Sequence, residues 1–322
     1  MSGSEDLYKA AERALKDYLG VSADETLLVL TDEKMRDIAM ALYETGRDIC
    51  SEAIYVEMRS REINGQEPPA QIAEMMKNVD VIIAPTSKSL THTVARRDAS
   101  RLGVRIGTMP GITPDAMIRC LGARFNKIIE LTEIVGKKMR HLSTIRVTTK
   151  KGTDLLMEVK GRRPIESTGV LRNIGESGNI PSGEVYLAPL EKKSNGIVVF
   201  DGSFAQIGLL DEPITIEIKD GYAVNILGGE QADFLRDTLT KIGRDAFAVG
   251  EFGIGTNYKA KLTGNILEDE KVLGTIHIAF GNNLSMGGRI SVPSHLDGLV
   301  QKPTVYFDDE MIMQNGKMLL GQ

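Results

Sequence analysis

The chain has 322 residues, 42% of them hydrophobic, and a formal net charge of −5. That length and apolar content support a sizeable core and favour two domains over one. The acidic balance gives no support to nucleic-acid binding or to attraction by an anionic membrane surface, and no apolar run approaches the ~20 residues of a membrane span.

The opening stretch, MSGSEDLYKAAERALKDYLG, is charged and amphipathic, unlike a signal peptide. Its Glu5–Tyr18 portion reads as a helix with Leu7, Ala11, Ala14, Leu15 and Tyr18 on one face. Thr26-Leu27-Leu28-Val29-Leu30 is a buried strand running into Thr31-Asp32, and Lys34–Ser51 is the helix that follows. Ala53–Met58 is a second strand, Ile63–Pro69 a loop and Ala70–Lys77 a helix. Val79–Pro85 is a parallel-type strand entering the hydroxyl-rich Thr86-Ser87-Lys88-Ser89, and the next helix carries His92, Arg96 and Arg97. After the Val104–Thr108 strand, Thr113 caps another helix with Pro114 in the favoured first position. His141 follows Lys137, Lys138 and Arg140, a pattern suited to a helix C-terminus. Strands alternating with helices predict an open, mostly parallel sheet. The two cysteines, Cys50 and Cys120, lie far apart in helical patterns and read as reduced buried thiols. With no membrane-spanning run and an opening stretch unlike a signal peptide, the expected location is the cytoplasm.

Near Ser143 the pattern changes. Thr144–Thr148 and Asp154–Val159 alternate like antiparallel partners joined at Lys150-Lys151-Gly152. The predicted organisation is therefore an α/β domain over residues 1–142 and a strand-rich α+β domain over 143–322 that carries the chemistry. Glu184 opens a strand after the turn-rich GESGNIPSG. Strands follow at 196–200, 214–219 and 222–227, then a helix over Glu230–Ile242. Phe247–Gly250 reads as a short strand that ends at Glu251, ahead of a glycine-rich loop reaching Asn257.

The organising stretch is Gly274–Gly298, GTIHIAFGNNLSMGGRISVPSHLDG. His277 lies in a strand-like run, and His295 and Asp297 project to one side if extended. Two imidazoles and a carboxylate are a minimal donor set for a divalent metal. Glu184 and Glu251, at strand ends beside glycines, are candidates to complete it.

Four elements in order, Asn179-x-Pro181-x-Gly183-Glu184-Val185, Glu251-x-Gly253-x-Gly255-x-Asn257, His277-x-Ala279-x-Gly281 and Ser294-His295-x-Asp297, resemble the thermophilic-type metallo-aminopeptidases, the leucyl aminopeptidase T or peptidase M29 family. The resemblance implies a homodimeric hydrolase of N-terminal peptide residues. It implies Glu184, Glu251, His277, His295 and Asp297 as ligands of two ions (zinc, cobalt or manganese), with Glu184 and Glu251 also serving catalysis, and a metal-activated water as nucleophile. The chain departs from that pattern, because those peptidases carry a tyrosine shortly after the first motif histidine and this chain has Gly281-Asn282-Asn283-Leu284-Ser285 there. Tyr258 is a possible substitute. The same fold family resembles the 2,5-dihydroxypyridine 5,6-dioxygenases. That alternative implies one iron(II) on His277, His295 and Asp297, with Arg289 a candidate for an anionic substrate group. A third reading is a non-catalytic member that binds a metabolite or partner. Of the three, the aminopeptidase is the primary expectation.

Overall fold

A computed structural model describes residues 2–321. The chain forms two compact units, Met1–Phe125 with Gly169–Ser182, and Asn126–Thr168 with Gly183–Gln322.

In the first unit, among the described residues, a five-stranded parallel sheet runs in the order Glu52–Met58, Thr26–Asp32, Val81–Ala84, Arg105–Thr108, Ser177–Asn179. The strands Thr26–Asp32 and Val81–Ala84 are buried almost throughout, as apolar runs covered on both faces should be. Leu28, Leu30, Ile82, Ala84 and Ile106 share a core cluster with Ala95 and Ala99 of the Val94–Arg101 helix. Thr113 caps the Pro114–Leu121 helix by accepting from the Ala116 amide, as its sequence requires. The amphipathic first helix spans Ser2–Arg13 and continues as a π-helical turn, Ala14–Tyr18. Two details differ from expectation. His92 lies in the turn before the Val94–Arg101 helix, which Thr93 caps. Ser177–Asn179, inside the turn-rich stretch, adds a parallel fifth strand beside Arg105–Thr108. Its three residues are too short for any periodicity to register.

The chain thus passes between the units after Phe125, Thr168 and Ser182 rather than once near residue 143. The Phe125–Met139 helix belongs almost wholly to the second unit because Val135 and Met139 join that unit's core.

The second unit holds an eight-stranded and a seven-stranded sheet among the described residues. The hairpin Thr144–Thr148 with Asp154–Glu158 forms as its alternation demands. Side chains from both sheets, among them Val198, Ile216, Phe252 and Ile278, merge into one core cluster. The predicted fold class, an N-terminal parallel sheet with helices followed by strand-rich sheets, is the fold observed. No described helix is long and apolar enough to cross a membrane. Of the two cysteines, Cys120 is buried and Cys50 partly so.

Candidate metal centre

Four neighbouring antiparallel strands of the seven-stranded sheet build the site: Glu184–Leu187, Val249–Gly255, Thr275–Gly281 and His295–Gln301. Side chains alternate across a sheet, so this registry sorts the residues onto two faces. Val185, Leu187, Phe252, Ile254, Ile276, Ile278, Phe280, Leu296 and Val300 enter the core cluster. The opposite face carries Glu184, Tyr186, Glu251, His277, His295 and Asp297.

The cross-strand rows decide who meets whom. Ala279 pairs with Glu251 on one side and Asp297 on the other, and its single methyl leaves room for both carboxylates above it. Gly253 pairs with His277. A Cβ added to Gly253 would lie 2.0 Å from His277 Nε2, so the imidazole rests directly over that glycine. The ladder slips between Val249 and Glu251, a bulge at Gly250 that re-aims Glu251. Glu251 therefore lies inside a strand, not at its end. The glycines that read as a loop permit close packing over a pleated surface.

The five candidate residues converge. His277 Nε2 lies 3.0 Å from Glu251 Oε1 and 3.7 Å from Glu184 Oε2. His295 Nε2 lies 3.1 Å from Glu251 Oε2 and 3.4 Å from Asp297 Oδ1. His295 Nδ1 sits 2.8 Å from the carbonyl of Asn282, to which it donates. That bond turns Nε2 toward the carboxylates, the arrangement that orients metal-binding imidazoles. The glycine-rich loop is anchored beneath it: the Asn282 amide donates to the Ser294 carbonyl (2.7 Å), the Ile290 amide to Asn283 Oδ1 (2.8 Å) and the Arg289 amide to Glu191 Oε1 (2.7 Å).

Two further charged residues, Glu270 and Lys271, join the site. The Lys271 side chain is fully buried, with Nζ 2.9 Å from Glu184 Oε1 and 2.6 Å from Glu270 Oε2. A run such as Glu268-Asp269-Glu270-Lys271 looks like a solvated surface in sequence. Here Glu268 and Asp269 are also buried, Asp269 accepting from the Thr263 and Gly264 amides and from Ser203. Tyr186 was likewise invisible as a site residue, although it stands two positions after Glu184 and so shares its face. Tyr258, by contrast, has Lys127 Nζ over its ring at 4.9 Å, and Arg289 is exposed.

Electrostatics follow from four carboxylates facing one ammonium. Burial opposes charge on His277, but Glu251, with Glu184 and Glu270, outweighs it and raises the imidazole to about 9. For His295 burial is likewise overcome, chiefly by Asp297, and its pKa stands well above the ordinary value. Burial would raise Asp297, yet the His295 charge holds it well below the usual carboxylate range. Glu251 is similarly lowered against burial by its bonds to both histidines. Burial pushes Glu270 up to about 8, with Lys271 opposing. Lys271 itself is burdened by burial but held as the ammonium by Glu184 and Glu270. Burial pushes the Tyr186 phenol up, keeping it neutral.

The surroundings demand cations, and protons on two imidazoles meet that demand when no metal is present. Glu184 Oε2 and His277 Nδ1 are buried without a hydrogen-bond partner, a costly condition that ligand binding would relieve. One donor atom each from Glu251, His295 and Asp297 lie within 4.8 Å of one another, the compact set found among the described residues. Mixed imidazole and carboxylate donors fit a divalent first-row metal. The fold and this face together define a metalloenzyme-type centre on an antiparallel sheet.

Comparison with known proteins narrows the class. The sequence profile of the 2,5-dihydroxypyridine 5,6-dioxygenase family matches residues 6–320, and the chain belongs to that family. It is 25% identical over 244 residues to the 2,5-dihydroxypyridine 5,6-dioxygenase of Pseudomonas putida strain KT2440, covering 71% of this chain and 69% of that one. The structure of 2,5-dihydroxypyridine dioxygenase from the same organism superposes with a TM-score of 0.85 at 19% identity, over 99% of this chain and 98% of that one. Wild-type AmpT from Thermus thermophilus superposes with a TM-score of 0.73 at 17% identity, over 98% and 99% of the two chains. These last two likenesses show the fold. The expected metallo-aminopeptidase is therefore corrected. The peptidase likeness lies in architecture alone, while the family match supports a dioxygenase. The two-ion zinc, cobalt or manganese centre falls with it. The misreading has a physical source: one scaffold can host different reactions, so a likeness of fold does not by itself fix the chemistry.

Proposed function

We propose that this chain is an iron(II)-dependent dioxygenase that cleaves dihydroxylated pyridine-type rings in the cytoplasm. The observation that carries the reading is the family match across residues 6–320, whose described structure contains a compact donor set at Glu251, His295 and Asp297. Those three residues would hold the ion, with His277 beside Glu251. This set takes Glu251 where the sequence reading of the dioxygenase had placed His277. Bound iron(II) supplies the one-electron chemistry by which O₂ reacts with an aromatic ring.

The chain's own residues do the rest. The Asn282 carbonyl fixes the His295 tautomer, and Glu251, bracketed by two imidazoles, is held in one orientation. His277 donates from Nε2 to Glu251 Oε1, which helps to hold that carboxylate in place. Tyr186, neutral at all physiological pH, offers a hydroxyl donor without adding charge. A homodimer belongs to the same proposal and is tested by light scattering on the purified protein.

The test is anaerobic loading with iron(II), followed by O₂ uptake and ultraviolet loss of the ring on adding 2,5-dihydroxypyridine. One O₂ consumed per ring lost is expected. Iron-loaded, folded protein that consumes no O₂ with this compound or its dihydroxylated ring analogues would overturn the reading.

A further inference from the structure

Lys271 is not among the ligands that motif order implies, yet it is a fully buried charge of the site. Its side chain is fully buried, and its Nζ stands between Glu184 Oε1 at 2.9 Å and Glu270 Oε2 at 2.6 Å. A lysine is among the residues least often found fully buried unless paired, so its place must be built.

Here the backbone builds it. The Lys271 amide closes the short Ile266–Asp269 helix by donating to the Glu268 carbonyl, and its own carbonyl accepts from the Asn257 amide at 2.8 Å. Gly255, which pairs with Glu184 across the sheet, has Lys271 and Val272 backbone atoms 2.2–2.7 Å from where its Cβ would stand. Only glycine admits the segment that delivers the ammonium to Glu184.

The site therefore contains two places where carboxylates converge on a cation. At one, donor atoms of Glu251, His295 and Asp297 gather, and among the described residues their ion-pair partners are the histidines. At the other, Glu184 and Glu270 converge on Nζ. We infer that Lys271 is a resident second cation, a positioning residue whose ammonium fills the Glu184–Glu270 place and restricts this centre to a single divalent ion. It holds Glu184 through Oε1, leaving Oε2 turned to His277 at 3.7 Å. A second dication beside the ammonium would face direct repulsion in a water-poor site, where such terms exceed their strength in water.

This inference rests on the metal-centre reading above, and metal counting separates the two. The wild-type protein, Lys271→Met and the hydrogen-bonding neutral variant Lys271→Gln are equilibrated by dialysis against excess Mn²⁺ at pH 8. Metal per chain is then measured by elemental analysis, with circular dichroism to verify folding. The expected result is one Mn²⁺ per wild-type chain and two per chain in whichever neutral variant folds. One Mn²⁺ in a folded neutral variant, or two in the wild type, overturns the role given to Lys271 while leaving the metal centre standing. No Mn²⁺ in the wild type overturns both. Should neither variant fold, the wild-type count alone still refutes the inference if it is two.

Discussion

Replacing Gly253 by alanine places one methyl under the His277 ring. The added carbon would lie 2.0 Å from Nε2, 2.2 Å from Cε1 and 2.8 Å from Cδ2. Ordinary carbon contacts are about 3.5–4.0 Å, so the ring must retreat by roughly 1.5 Å. The strand beneath cannot yield instead, because it is bonded on both sides, to Glu184–Leu187 and to Thr275–Gly281. Such a shift breaks the 3.0 Å contact between Nε2 and Glu251 Oε1, and Glu251 loses one of the two imidazoles that orient it. Overpacking costs about 1–3 kcal/mol. At roughly 2–4 °C per kcal/mol for a unit of this size, the metal-free protein should melt about 2–12 °C lower. Loss of a ligand-orienting contact should weaken Mn²⁺ binding about 10–100-fold. Differential scanning calorimetry and a competitive metal-binding titration read the two effects separately. An alanine variant that melts within about a degree of the wild type and binds Mn²⁺ equally well would show that the ring does not rest on that glycine.

Three other outcomes are expected. Asp297→Ala and His295→Ala should each weaken Mn²⁺ binding by more than about 100-fold, beyond the effect of an orienting residue; normal binding in either would remove it from the ligand set. Because His277 is raised to about 9 in the folded protein from an ordinary 6.5, its ion-pair stabilisation is complete below about pH 6.5 and is lost as pH climbs through 9. The metal-free melting temperature should fall between pH 7 and 10, while Mn²⁺ affinity rises as the competing proton leaves; flat profiles in both would contradict the assigned ion pairs. Asp32, 1% exposed, accepts from the Ser87 amide at 2.6 Å, the Ser87 hydroxyl at 2.8 Å and the Lys34 amide at 3.1 Å. Asp32→Ala strands these donors at a cost of about 1–3 kcal/mol, and calorimetry should register it with Mn²⁺ affinity unchanged.

The sequence by itself determined much of the framework. Continuous apolar runs such as Leu27–Leu30 and Val81–Ala84 announced buried parallel strands because both faces had to leave water. Alternation announced the Thr144–Thr148 hairpin, and Thr113-Pro114 announced a helix start. Period-two spacing in Ser294-His295-x-Asp297 put imidazole and carboxylate on one side, and motif order reached the correct fold family. What tertiary structure decided depends on pairing between distant strands, which local sequence does not encode. The bulge at Gly250, the glycine beneath His277, the small Ala279 between two carboxylates and the burial of Lys271 each exist only once Val249–Gly255, Thr275–Gly281 and their neighbours are in register. A glycine that leaves room for a ring has the same local signature as a glycine that bends a loop. A lysine reads as solvated until the carboxylates that hold it are brought in from 87 residues upstream at Glu184 and from its own neighbour Glu270.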